Sequence, residues 1–308
     1  MIPQFYRPES ELHLRSMVSD ADVVIVHGWN EPETVAKIGK LKMSYNYRLF
    51  FLDTHHRSVS DVESMERYDL SHYDGALVFG ETIRKIYLQK KWIDKVWTWH
   101  EAADTDLFRP YRDLEKEGDL VWIGNWGDNE RTSELMEFLV DPVKELGIKA
   151  KVYGVRYPEA ALKALKEAGI EYGGWLPNYK VPEIFARYKV TVHVPRRPYV
   201  EMLPGIPTIR PFEALACGIP LICSPWRDAE GLFRPGEDYL MASNGNAMGY
   251  RIAEVLKSAH LAQSLSNNGL ETVLKHHTCA HRVDELENII DRINAPLAKQ
   301  TNAHHGME

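Results

Sequence analysis

At 308 residues, with 44% hydrophobic and 26% charged residues, the chain suits two α/β domains with ordinary globular cores rather than one. Its formal charge of −7 argues against a non-specific nucleic-acid binder while leaving room for a local basic pocket. No run approaches the ~18–20 continuous apolar residues of a membrane helix, and three widely spaced cysteines, Cys217, Cys223 and Cys279, make no disulfide framework and fit a reducing cytoplasm.

The N-terminus, MIPQFYRPESELHLR, lacks the apolar core of a signal peptide. Short apolar runs then alternate with amphipathic helical patterns, which predicts parallel α/β structure. The first part carries strands at Asp22–His27, Arg48–Asp53, Gly75–Phe79 and Lys95–Trp99, with its clearest helix at Glu81–Gln89. A nucleotide-binding-type domain usually builds about six strands around its crevice. This domain, residues 1–108, therefore reads as lacking its first strand–helix–strand. His55 and His56 follow the second strand, on a loop expected to face the crevice as a general base or acceptor contact. A loop histidine without a role is the alternative. The polar stretch His100–Gly118, with Pro110 and a charge run, predicts an interdomain linker.

A second alternation predicts strands at Asp119–Gly124, Lys149–Gly154, Glu171–Gly173, Val190–Val194, Leu221–Cys223 and Tyr239–Ala242. Helices are expected at Arg131–Leu146, Pro158–Ala168, Val181–Tyr188, Thr208–Ala216 and from Asn246 to Asn294. That is a complete doubly wound domain, residues 119–294, with a helical extension and a polar tail, 295–308.

The run HVPRRPYVEMLPGIPTIRPFEALACGIPLICSP, from His193 to Pro225, carries the densest chemistry. A strand enters a polar loop bearing Pro and Gly, and a helix begins near Thr208 with its free N–H groups turned into the crevice. Arg196, Arg197, Arg210 and Glu213 surround that point, so guanidinium groups and amides could hold phosphate while Glu213 accepts from ribose hydroxyls. A structural ion pair between Glu213 and Arg210, three residues earlier, is the compatible alternative. The loop Gly124–Asn125–Trp126–Gly127 permits close backbone approach to a diphosphate, with Arg131 in reach. An ordinary βα turn capped by Asp128 or Asn129 competes with that reading. The segment Gly173–Tyr179, with Asn178, could hold a nucleobase. His276, His277, Cys279 and His281 do not have zinc-site spacing and read as a helix start with Thr278 as cap.

Several stretches together resemble a known family: WTWHEAADTDLFRP (97–110), DLVWIGNWGDNERTSEL (119–135), YGGWLPNYKVPEIFA (172–186), the 193–225 run, FRPGEDYL (233–240) and HTCAHRVDEL (277–286). The chain is similar to GT-B-fold glycosyltransferases of the group 1, family 4-like superfamily, and within it to the CgeB-like, spore-maturation-type branch. The resemblance implies two Rossmann-like domains facing across a cleft, with the donor nucleotide sugar on the C-terminal domain and the acceptor on the N-terminal one. Glu213 matches the second glutamate of the E-x7-E pattern, which typically contacts the donor ribose. Gly205 stands where the first glutamate is expected, Glu201 is out of register, and Arg210 is in place to share the polar work. Relatives also begin with a further strand, glycine-rich loop, helix and strand.

The expected activity is therefore transfer of a sugar, hexosyltransferase-type, from a nucleoside-diphosphate donor to an unidentified acceptor. Glu213, Arg210 and Arg196 are the expected catalytic group. Gly124, Asn125, Trp126, Arg131, Gly205, Thr208 and Asn178 would form the donor surface, and His55 and His56 the acceptor side. The scheme requires no metal and no cofactor, since arginines and helix amides can carry the diphosphate charge. A non-catalytic nucleotide-sugar-binding protein and a sugar-nucleotide epimerase are the competing expectations.

Overall fold

The computed structural model describes residues 11–111, 114–127 and 129–294. Asp128, one of the two expected caps, and the polar tail 295–308 lie outside them. In the first half α1 (Glu11–Val18), β1 (Val23–His27), α2 (Pro32–Leu41), β2 (Arg48–Asp53), α3 (Arg57–Ser60), α4 (Val62–Glu66), β3 (Gly75–Val78), α5 (Glu81–Lys90) and β4 (Val96–Thr98) follow in order. The second half begins with β5 (Gly118–Ile123), α6 (Thr132–Leu135), α7 (Asp141–Leu146), β6 (Ala150–Tyr153), α8 (Glu159–Glu167), β7 (Glu171–Tyr172), α9 (Val181–Ala186) and β8 (Tyr188–His193). It continues through α10 (Arg197–Glu201), α11 (Ile209–Ala216), β9 (Leu221–Cys223), β10 (Leu240–Met241), α12 (Gly245–Lys257), α13 (Ala259–His276) and α14 (Cys279–Asn294).

Two wholly parallel sheets result, one of order β1-β2-β3-β4 and one of order β10-β9-β8-β5-β6-β7. Strand β2 reads RLFFLD because helices cover both of its faces. Leu49 and Phe51 enter the core beneath α2 and α5, while Phe50 turns to the opposite face and meets Leu77 and Ile289. That second cover comes from α14, the end of the helical extension, which crosses back onto the first sheet. Trp99 Nε1 donates to the Arg282 carbonyl (2.8 Å) at that crossing. In the second sheet the order reverses between β8 and β5, so the loops leaving these strands flank a crevice. Both candidate phosphate loops stand there.

Three local expectations need correction. The Arg131–Leu146 helix is broken by a π turn at Met136–Val140. Pro142 has no N–H to continue the regular ladder, and the wider turn stands where that bond is missing. The stretch after β8 is not a plain polar loop. It contains α10, whose Tyr199 is buried with Leu203 and Ile206 in the apolar core of the first half. The His100–Gly118 stretch is no free linker either. Phe108 is buried, and Ala103 pairs in a bridge with Thr278, its N–H donating to the His277 carbonyl (2.9 Å). Polar composition hid these few apolar anchors. Among the described residues no helix is long and apolar enough to cross a membrane.

Candidate functional site

The second-half wall of the crevice is built around Glu213. It lies on the face of α11 turned into the protein, only 4% exposed. Its Oε2 pairs with Arg210 Nη1 at 2.6 Å, and Asn178 Nδ2 donates to Oε1 (3.3 Å). Burial raises its pKa, and Arg210 and Asn178 partly offset that by favouring the charged form. The ion pair with Arg210 that the three-residue spacing allowed is therefore formed. Thr208 is the N-cap residue, but no side chain caps α11. The Thr208 hydroxyl instead lies 3.3 Å from His193 Nε2, and Pro211 has no N–H to offer. The amides of the first turn therefore still look for an acceptor. His193 is fully buried beside Arg131 and Arg210, and burial with those cations lowers its pKa to about 3, so it adds no charge at neutrality.

The Gly124 loop is held by backbone contact. Gly154, at φ +149°, packs so closely that a Cβ there would lie 2.0 Å from the Gly124 carbonyl oxygen. Arg131 is turned inward: it donates to the carbonyls of Asn125 and Val194, and its guanidinium lies 5.1 Å over the Trp122 ring. It fixes the two loops relative to each other rather than standing free. Asn125 accepts from the Val155 amide (3.0 Å). Trp126 is 1% exposed, donates to Thr132 Oγ1 (3.0 Å) and packs in the core, which takes it out of the expected donor surface. Helix α6 starts after Arg131 without a side-chain cap, so Asn129, in left-handed backbone at φ +69°, does not cap it. Beyond Glu213 the rim carries two exposed aromatic rings, Trp175 and Tyr179, on either side of Asn178.

Gly205 sits at φ +92°, where a side chain is strained. A Cβ there would also come within 3.2 Å of Ala229 and of the Glu230 side chain. Glu230, which sequence reasoning missed, runs past the vacant position and joins the two halves. Its Oε1 accepts from the Glu81 amide at the start of α5 (2.8 Å), and its Oε2 accepts from His100 Nε2 (2.6 Å). Glu201 is exposed on the surface.

Arg196 belongs to a second joint. It pairs with Glu130 at 2.6 Å, and the same Glu130 oxygen is 3.5 Å from His56 Nε2. That commits Arg196 to the boundary between the halves instead of to the Glu213 group. His56 is 3% exposed, its Nδ1 shares a hydrogen bond with Ser60 Oγ (2.7 Å), and Tyr199 meets its ring edge-on. It is a joint residue, closed to an acceptor. His55 is half-buried between His56 and the 62%-exposed Trp29. Burial, then neighbouring positive groups, lower its pKa to about 4. Beneath it, buried Asp53 accepts from Tyr87 Oη (2.8 Å) and the His55 amide (3.1 Å), and burial raises its pKa to about 6. Glu101, on the stretch read as a linker, lines a cavity with Leu52, Thr54 and Trp99. Burial and then Glu213 raise its pKa to about 7. Only its place after a predicted strand end could have singled it out.

The histidine cluster near α14 has structural tasks. His277 Nε2 donates to the Leu232 carbonyl (2.8 Å), and Thr278 accepts from the His281 amide as a cap. Among the described residues no group of three side chains is arranged to hold a metal ion.

A glycosyl transferase-like family model matches residues 131–288, just over half of the chain. None of the curated proteins is significantly similar to it in sequence. Among solved structures, sucrose-phosphate synthase from Thermosynechococcus elongatus is similar at 15% identity and a TM-score of 0.64, over 89% of this chain and 74% of that one. TarM is similar at 13% and 0.67, over 92% of this chain but only 57% of TarM, so the chain spans little more than half of that relative. The β-glucosyltransferase BGT of T4 phage, solved with UDP-glucose, is similar at 16% and 0.62, over 89% and 83%. At these identities the likeness shows the fold: two Rossmann-like parallel-sheet domains in the GT-B arrangement.

Proposed function

The chain belongs to the glycosyl transferase-like family, and from that premise we propose that it transfers a hexose from a nucleoside-diphosphate donor to an acceptor, as a cytoplasmic member of the CgeB-like branch. The observation that carries this reading is Glu213, a buried carboxylate on α11 held by Arg210 and Asn178. Held there and partly neutralised, it is suited to accept from the two ribose hydroxyls. The uncapped first turn of α11 and the Arg210 guanidinium then face the diphosphate. Trp175 and Tyr179 offer rings to the base. The His55–Trp29 surface stands on the acceptor side.

Catalysis on this scheme is chiefly electrostatic: positive groups fixed before the reaction meet the charge that develops on the leaving diphosphate. The T4 phage neighbour, solved with UDP-glucose, supports a nucleotide-sugar donor. The three cysteines, all free thiols, support the cytoplasmic placement. The test is turnover of UDP-, GDP-, dTDP- and ADP-glucose with and without a lysate acceptor pool. Transfer requires the acceptor. Turnover to an isomeric nucleotide sugar without acceptor would make the protein an epimerase, and binding without turnover in either arm would make it a non-catalytic binder.

A further inference from the structure

The Trp29 ring is largely exposed, yet the loop that carries it is tightly held. Gly28 follows β1, and its N–H donates to the Leu52 carbonyl (2.8 Å). The Gly28 carbonyl accepts from the Arg57 guanidinium and from Tyr68 Oη (2.6 Å). The Trp29 amide donates to His27 Nδ1 (3.2 Å), and Asn30 Nδ2 donates to the His27 carbonyl (2.9 Å). Arg57 lies against one face of the indole, 5.2 Å from the ring centroid, and the other face is open. Single exposed rings are ordinary on protein surfaces. This one is set apart by a clamped backbone that fixes it in water, as a binding platform fixed before its ligand arrives would be.

Its neighbours are polar. The His55 ring stands at 69° to the indole, with centroids 4.7 Å apart. His55 Nδ1 is buried without a partner, so Nε2 is the edge of that ring left for a ligand. His27 Nε2 lies 3.0 Å from Thr54 Oγ1, a pair in which either side can donate. Burial lowers the pKa of both histidines, so they meet a ligand uncharged at neutrality. All these residues stand at the carboxyl ends of β1 and β2, where open α/β sheets bind ligands. The His55 ring is 4.1 Å from that of His56, which reaches Glu130 of the second half at 3.5 Å. The platform therefore adjoins the boundary with the other wall.

Resting on the sugar-transfer reading above, we infer that Trp29 is the platform for the acceptor and that the acceptor is itself a neutral saccharide. A pyranose ring has an apolar C–H face and a rim of hydroxyls. The open indole face covers the first, and His55 and Thr54 exchange hydrogen bonds with the second. An aliphatic acceptor would need an apolar-walled slot, whereas this ring is bordered by two imidazoles and Asn30. An anionic acceptor would need a free cation. Arg57, the cation against the ring, is already taken up by the Gly28 carbonyl and Tyr68.

The experiment is saturation-transfer NMR on the full chain, without donor, and on Trp29→Ala and Trp29→Tyr. The probes are mono- to tetrasaccharides of glucose, galactose, mannose, rhamnose and N-acetylglucosamine, with octanol and phosphatidylglycerol vesicles as the aliphatic and anionic arms. At least one saccharide should bind the wild type, with transfer strongest to the C–H protons of one ring face. Trp29→Ala should bind it about 10–30-fold more weakly, and Trp29→Tyr should recover part of the loss. Both variants should melt within about 2 °C of wild type, since the ring is exposed. Saccharide binding by none of the probes, binding of octanol or vesicles instead, or equal affinity in Trp29→Ala would each overturn the assignment. So would an equal loss of nucleotide-sugar affinity in Trp29→Ala, which would put the ring on the donor side. With UDP-, GDP-, dTDP- and ADP-glucose added, the bound saccharide should accept the sugar, with its KM raised about 10-fold in Trp29→Ala. Saccharide bound at Trp29 but no transfer from any of the four would instead overturn the sugar-transfer reading, and the acceptor role with it.

Discussion

The two walls of the crevice are made differently. On the second-half wall nearly every polar group is already engaged: Glu213 with Arg210 and Asn178, Arg131 with two loop carbonyls, Asn125 with the Val155 amide. Facing it, the first-half wall uses His56, His100 and the Glu81 amide to join the halves, and leaves the Trp29 ring, which meets His55 and Arg57, largely exposed. One wall has its side chains tied down and keeps only the first-turn amides of α11 uncapped, and the other presents an exposed aromatic ring. This suits a constant donor read by a fixed surface and an acceptor that completes its own site.

The sharpest way to break the contrast is Gly154→Ala. A methyl group 2.0 Å from the Gly124 carbonyl, at φ +149°, forces the prebuilt loops apart. A loss of more than about 3 kcal/mol in urea unfolding is expected, with nucleotide binding abolished. Wild-type stability would show that the loops are not locked. Next comes the joint. Ile206, 2% exposed in the first-half core, is anchored from the second half. Ile206→Ala should cost about 2–4 kcal/mol and separate one thermal transition into two, the first sheet melting first. A single unshifted transition would contradict the coupling.

A smaller effect distinguishes the walls by pH. His193 (about 3), His55 (about 4) and His277 (about 4) have lowered pKa values, so the unfolded chain binds more protons below its ordinary histidine pKa near 6.5. Their contribution is complete above that value and is lost as pH falls toward 4. Asp53 and Glu101 act oppositely: raised to about 6 and 7, they favour the fold while protonated, and that contribution is lost as pH rises through those values. Glu101→Gln should therefore raise the melting temperature relative to wild type at pH 8 and leave it little changed at pH 5. Equal curves at both pH values would mean that Glu101 is not desolvated.

The contrast also explains what was legible beforehand. Leu221–Cys223 and Arg48–Asp53 could be read to the residue, because fully buried parallel strands leave continuous apolar runs. Glu213 stood out because a carboxylate amid small and apolar residues needs a reason. Arg196 and Trp126 were misplaced, since residue type does not reveal whether a guanidinium or an indole turns outward or is consumed by a neighbour. Glu230 escaped notice for a related reason. Its partners lie across the boundary between halves, 149 residues away for the Glu81–Glu230 contact, and no local pattern encodes that.

Glu213 makes the most direct test of the donor site. Calorimetric titration of wild type and Glu213→Gln with UDP-, GDP-, dTDP- and ADP-glucose should find one nucleotide sugar that binds the wild type and binds the variant about 10–100-fold more weakly, the value of a lost charged hydrogen-bond pair. Equal affinity in the two proteins would contradict the account.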